Sequence, residues 1–181
     1  MARLSPLILV ILNGAAPIPE GMAVLSDGDI RRYLAKGELR IEPFEDANLT
    51  PNGYDVTIEE VLVPSSNVRT TRGLAQIPPL TRFAVSTRES VTLGRHLAGQ
   101  LWLRTTWARR GVLAAFGMID AGFSGTLTFG ALNGASEVLQ LPIGERFAQI
   151  VFLSLESPSS ETYEKRSGTY QGQRGVTLER P

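Results

Sequence analysis

Residues 82–103 read RFAVSTRESVTLGRHLAGQLWL. Two runs, RFAVSTRESVTL and LAGQLWL, are apolar or alternate apolar with polar residues, and a Gly-Arg-His break parts them. That period places successive side chains on opposite faces of an extended backbone, which reads as two strands joined by a turn. The same pattern recurs from Ile41 onward. YDVTIEEVLV (54–63), GVLAAFGMI (111–119), GTLTFGAL (125–132), EVLQLPI (137–143) and RFAQIVFLSL (146–155) are each set off by Pro, Gly, Ser or Asn. Short runs at such regular spacing indicate a mostly β domain, a sandwich or barrel. One stretch departs from it. SDGDIRRYLAKGEL (26–39) predicts a short helix, with Ser26 or Asp27 as N-cap, acidic residues in the first turn, Ile30, Tyr33 and Leu34 at helical spacing, and Gly37 as the stop.

A chain of 181 residues with 43% hydrophobic content suits one globular domain with a substantial core. Lys+Arg and Asp+Glu both number 18, so no global field draws in a nucleic-acid polymer, and an anion site must come from local clustering. Nearly all the cations are arginine, which favours planar, bidentate contacts with carboxylate or phosphate. The absence of cysteine excludes disulfides and thiolate metal sites. A single histidine, His96, argues against a multi-histidine metal site or a Ser/His triad and reads as a surface or turn residue.

Residues 1–21, MARLSPLILVILNGAAPIPEG, carry a six-residue apolar run behind one arginine. The outline is that of a signal peptide, but Pro6 precedes the run and the basic region is thin. The run is also too short to span a bilayer, so no membrane segment is expected. The segment is read as an N-terminal extension, either an added edge strand or the product of a start codon upstream of Met22. The main domain is placed at 22–156. Residues 157–181, SPSSETYEKRSGTYQGQRGVTLERP, are polar and Gly-rich, with too few apolar residues to fold alone, and form a tail that is either disordered or ordered by a partner or ligand.

Four segments interrupt the strand pattern with polar or glycine residues. PNGYDV (51–56) sets Asp55 after a turn signal and an aromatic. LRTTWARRG (103–111) puts two hydroxyls beside three arginines, a composition able to hold a polyphosphate by charge-assisted hydrogen bonds and equally able to form a solvated basic loop. GMIDAGFSG (117–125) carries the lone carboxylate Asp120, and GERFAQIVF (144–152) carries Gln149 inside an apolar run, where a buried amide needs a partner.

Taken in order, and followed by a Gly-rich tail with Tyr170, Gln171, Gln173 and Arg174, these segments resemble the dUTPase and dCTP deaminase superfamily over about residues 22–176. LSDGDIRRYLAKGELRIEP looks like the start of the dCTP deaminase branch, and IDAGFSG like its archaeal members, including bifunctional deaminase-diphosphatases. The resemblance implies a distorted jelly-roll-like β fold and a cytoplasmic homotrimer with active sites at subunit interfaces and a C-terminal tail closing over a deoxypyrimidine triphosphate. It also implies roles. Backbone groups of the hairpin beginning near Gly117 would hold the pyrimidine, and Phe123 would pack under the deoxyribose and exclude a 2′-hydroxyl. Arg104, Thr105, Thr106 and Arg109 match the phosphate cradle, Gln149 a phosphate contact, and Tyr170 and Gln173 the closing tail. Asp55 matches an acid associated with Mg2+ through water. Asp120 matches the aspartate that, in dUTPases, activates the water attacking the α-phosphorus.

Several positions depart from the deaminase pattern. Deaminases carry a glutamate ten residues after this aspartate, where it shuttles protons during attack on cytosine C4; here that position is Gly130. The next carboxylate, Glu137, lies seven residues further on, past Asn133-Gly134, and at about 3.3 Å per residue a strand puts it out of reach. The interval from Arg104 to Asp120 is nearer to dUTPase spacing, Thr105-Thr106 replace the usual serines, and Thr169 replaces a lysine common in deaminase tails. The expected activity is dUTP diphosphatase. The alternatives are dCTP deaminase and a non-catalytic nucleotide-binding trimer.

Overall fold

The computed structural model describes residues 23–179. The extension read at residues 1–21 lies outside the described residues. Thirteen strands are linked by short turns: β1 (Ala23–Val24), β2 (Leu39–Glu42), β3 (Leu49–Thr50), β4 (Gly53–Val63), β5 (Val68–Thr70), β6 (Leu74–Ile77), β7 (Arg82–Leu93), β8 (Leu97–Leu103), β9 (Val112–Ala115), β10 (Met118–Ile119), β11 (Ser124–Asn133), β12 (Leu139–Pro142) and β13 (Arg146–Ser154). Among the described residues three α-helices accompany them, α1 (Asp27–Ala35), α2 (Thr105–Ala108) and α3 (Tyr163–Arg166), with one 3-10 turn at Asp46–Asn48. The quoted stretch 82–103 is β7, a turn and β8, at the ends its pattern indicates. Helix α1 starts at Ser26, whose Oγ accepts from Asp29 N–H at 3.2 Å while Asp29 Oδ2 accepts from Ser26 N–H at 3.1 Å. This reciprocal cap fixes the helix start, and Gly37 beyond its end takes φ +71°. Among the described residues no helix is long and apolar enough to cross a membrane.

The main sheet runs β10-β8-β13-β4-β7-β11-β9, with β12 and β6 forming a separate pair. All its pairings are antiparallel, and it curls because β4 changes partner part-way. Tyr54–Thr57 pair with β13, and Ile58–Leu62 pair with β7. In this central position YDVTIEEVLV is buried at every residue but Glu59. Within the curl, Phe147 stacks on Phe129 at 6.2 Å and meets Phe83 and Trp107 at 6.4 and 6.2 Å.

The curl costs ladder hydrogen bonds, and buried polar side chains replace them. Register shifts flank Thr57, and there its N–H and hydroxyl donate to the Glu89 carboxylate at 2.9 and 2.8 Å. A third shift, at Leu127, is met by its N–H donating to Thr87 Oγ1 at 2.9 Å. Orphan N–H groups at such bulges are expensive unless matched, so Thr87 and Glu89 are structural acceptors. Burial pushes the Glu89 carboxyl above its ordinary 4.5, and the Thr57 hydrogen bonds pull it only partly back. A folded-state pKa above the unfolded one stabilises the fold at low pH, and that contribution is lost as pH rises through the folded value. Glu89→Gln should therefore gain on the wild type between about pH 4 and pH 7. Melting curves across that range check it, and a constant Tm difference would count against it.

Candidate active site

Two cavities gather the sequence-predicted residues, and no residue lines both. The first is polar. Asp55 on β4, Gln149 on β13 and Trp102 on β8 lie opposite one another in the ladder, so three distant segments meet in one row. Arg104, Thr105 and Thr106 close its end. They are held by α2, whose Trp107 turns into the core at 4% exposure and donates its indole N–H to Arg146 C=O at 2.8 Å. An aromatic with one polar handle thus pins a cationic loop to the sheet. Gln149, the amide that needed a partner, donates to Thr50 Oγ1 at 2.8 Å.

Asp55 is 3% exposed and faces two cations. Arg104 Nε lies 3.1 Å and Arg146 Nη1 3.5 Å from Oδ2. Burial raises the Asp55 carboxyl above the usual carboxylate range, and Arg104 first, then Arg146, pull it back. Arg109 does not join this group. It caps the C-terminus of α2, is exposed, and lines neither cavity. Arg146 takes the second cationic place instead. It lies in the quoted GERFAQIVF, but only the pairing of β13 with β4 sets it beside Asp55.

The second cavity is mostly apolar, with Gly117, Asp120, Phe123, Tyr163, Tyr170 and Gln173 on its wall. Asp120 follows β10, and its C=O accepts from Phe123 N–H at 3.1 Å, closing a tight turn. Gly122 in that turn has φ +86°, and a Cβ there would lie 2.5 Å from Thr162 Cβ, so glycine lets the tail cross close by. The Asp120 side chain is exposed and joins no ion pair among the described residues. Phe123 forms the buried floor, its ring edge-on to Tyr163 at 5.5 Å. Tyr163, absent from the sequence-predicted set, enters because its N–H donates to Ala121 C=O at 2.8 Å. Gly130 is not on this wall. It is exposed in a neighbouring hollow with Leu113 and Leu132, and Ala115 alone borders both.

Among the described residues there is no cluster of three or more His, Cys, Asp or Glu able to hold a metal unaided.

A family model described as dCTP deaminase-like matches residues 64–155. A dCTP deaminase from Thermococcus kodakarensis is 34% identical over 157 residues, covering 86% of this chain and 96% of that protein. One from Pyrococcus horikoshii is 37% identical over 151 residues, covering 82% and 92%. The crystal structure of 2′-deoxycytidine 5′-triphosphate deaminase from Agrobacterium tumefaciens superposes with a TM-score of 0.62 at 18% identity. That match covers 74% of this chain and about half, 48%, of the other, and it bears on the fold alone. With identity above 30% along nearly the whole length of its archaeal relatives, and with a family model matching about half of its own length, the chain belongs to the dCTP deaminase-like family.

Proposed function

We propose that this protein activates water with Asp120 to process a deoxypyrimidine triphosphate, and that the reaction its geometry supports best is hydrolysis of dUTP to dUMP and pyrophosphate. The observation that carries this reading is that, among the described residues, Asp120 is the single carboxylate on the wall of the cavity it shares with Phe123 and Tyr170. Phosphoanhydride hydrolysis asks for one base. The water oxygen bonds to the α-phosphorus, its proton passes to the Asp120 carboxylate, and the bond from the α-phosphorus to the bridging oxygen breaks to release pyrophosphate. Phe123, Gly117 and Tyr170 would bind the nucleoside, while Arg104, Thr105, Thr106 and Gln149 would bind phosphates.

Mg2+ fits the polar cavity only as an ion carried largely by the substrate. It commonly retains waters and takes one or two carboxylates besides phosphate oxygens, and Asp55 supplies one carboxylate whose two arginine contacts both fall on Oδ2. Bound there, it would supply charge neutralisation for the transferring phosphate. Because the nucleoside and phosphate residues line separate cavities of one protomer, a site completed by a second copy, as in a homotrimer, accommodates both sets.

The archaeal relatives favour a second reading, dCTP deamination, since they are named for it. Against it, deamination needs protons delivered to the base and to departing ammonia, and Gly130 offers none. Purified protein with Mg2+, given dUTP and dCTP separately and followed for pyrophosphate and ammonia, decides between them. Pyrophosphate from dUTP without ammonia from dCTP is expected; ammonia from dCTP would establish the second reading.

Gly130→Glu extends the test. A Cβ at Gly130 meets nothing within 4 Å, so the variant should fold. If the shuttle is all that is missing, and the added side chain reaches the base from the adjoining hollow, it should release some ammonia from dCTP where the wild type does not. A folded variant that binds dCTP yet releases none would show that the missing carboxylate is not what prevents deamination.

A further inference from the structure

The tail does more than close one side of a cavity. From Gln171 to Thr177 it runs along β11 of its own protomer. Gly172 N–H donates to Ser124 C=O at 2.7 Å, Thr126 N–H to Gln173 C=O at 3.0 Å, and Gln173 Nε2 to Thr126 C=O at 2.7 Å. Further on, Thr128 Oγ1 donates to Gly175 C=O at 3.2 Å and accepts from Thr177 N–H at the same distance. The far end reaches a charged group. Val176 N–H donates to Glu60 Oε2 at 2.9 Å, the other Glu60 oxygen pairs with Arg69, and the Val176 side chain is buried against Leu62 and Ala84.

Glu60 is a buried carboxylate on β4, with a side chain only 11% exposed. Buried carboxylates are costly unless matched, and the tail amide supplies half of the matching. The fit is close. Gly175 takes φ +64°, and a Cβ there would lie 2.9 Å from Glu60 Oε2, so glycine is what lets the backbone approach the carboxylate.

We infer that Glu60, held by Arg69, is a positioning residue: its contact with Val176 N–H fastens the far end of the strap at 171–177 to β4, holds the strap along β11 and thereby sets Tyr170 and Gln173 in the nucleoside cavity of the same protomer. Glu60 does not line that cavity and acts only through the strap. The link from strap to nucleotide rests on the function proposed above, whereas the latch itself does not.

Amide hydrogen exchange separates the two. In Glu60→Ala, exchange over 171–177 and at the Ser124 and Thr126 amides it covers is expected to rise about tenfold, the loss of one charge-assisted hydrogen bond, while β4, β7 and β11 from Phe129 to Asn133 keep their protection and Tm barely moves. KM for the nucleotide should rise by a similar factor, with kcat within about twofold. Glu60→Gln keeps an oxygen for Val176 N–H and should recover most of both effects. Unchanged exchange in the strap overturns the latch. Exchange that rises in β4 and β7 as well makes Glu60 a plain structural residue and overturns it equally. A loosened strap with KM unmoved overturns the coupling to the cavity. If the wild type turns over neither dUTP nor dCTP, the proposed function fails, and the exchange result alone then decides the latch.

Discussion

Asp120→Asn should abolish turnover of dUTP, lowering kcat by about a thousandfold, within the range associated with loss of a general base. KM should change little, because the amide keeps the size and hydrogen-bonding reach of the carboxylate. The fold should be untouched, since Asp120 is exposed and its structural contact is through its backbone carbonyl, which the substitution preserves. Steady-state pyrophosphate release with a matched melting curve checks this. A folded variant retaining a tenth or more of wild-type kcat would remove Asp120 from the chemistry and leave the cavity as a binding site.

The second large effect is expected at Arg104, where one residue serves both stability and ligand. Arg104→Ala removes the nearer of the two cations that hold the buried Asp55 charge. Breaking a fully buried pair typically costs about 3–5 kcal/mol, and an exposed one less than about 1. Arg104 is 27% exposed and Arg146 remains, so about 2 kcal/mol is expected near neutral pH. The sign with pH follows from Asp55. Its carboxyl is already raised by burial, and loss of Arg104 raises it further, so the deficit should be small near pH 4 and grow as pH rises to 7. Nucleotide affinity should fall about a hundredfold, the order expected for a charge-assisted phosphate contact. Adding Asp55→Asn should restore much of the stability and none of the affinity. Calorimetric unfolding and nucleotide titration on the single and double variants separate these effects. Recovery of both, or of neither, would contradict the dual role.

The strands were readable from alternation alone, and RFAVSTRESVTL and LAGQLWL became β7 and β8. The start of α1 was readable too, with Ser26 one of two N-cap candidates, and the structure adds the reciprocal bond from Asp29. What could not be read is set by register. Nothing local in PNGYDV or GERFAQIVF says that Asp55 will face Gln149, or that Arg146 will share Asp55 with Arg104; a one-residue slip would turn each to the other face. The resemblance matches Arg109 to the phosphate cradle, but α2, four residues long and hidden in a Thr-Thr-Trp-Ala sequence, places it at an exposed helix end of the protomer, away from Asp55. Thr87 and Glu89 looked like the polar half of an alternating strand, yet they lie buried at bulges no sequence period announces. The tail was the least readable part. It binds β11 largely through backbone groups and short polar side chains, which leave little trace in hydrophobic pattern.

That mode of attachment also bears on how the protein behaves in a crowded solution. β9 covers β11 only from Gly130 to Asn133, so between Ser124 and Thr128 the strap is the sole lateral partner on that side among the described residues. Lifted away, it would bare the N–H and C=O groups of Ser124 and Thr126 together with the apolar pair Leu62 and Ala84. An unpaired strand margin beside apolar surface is a template for an extended segment of another molecule. The strap therefore also guards that margin against aggregation, and a variant that loosens it should be more prone to associate.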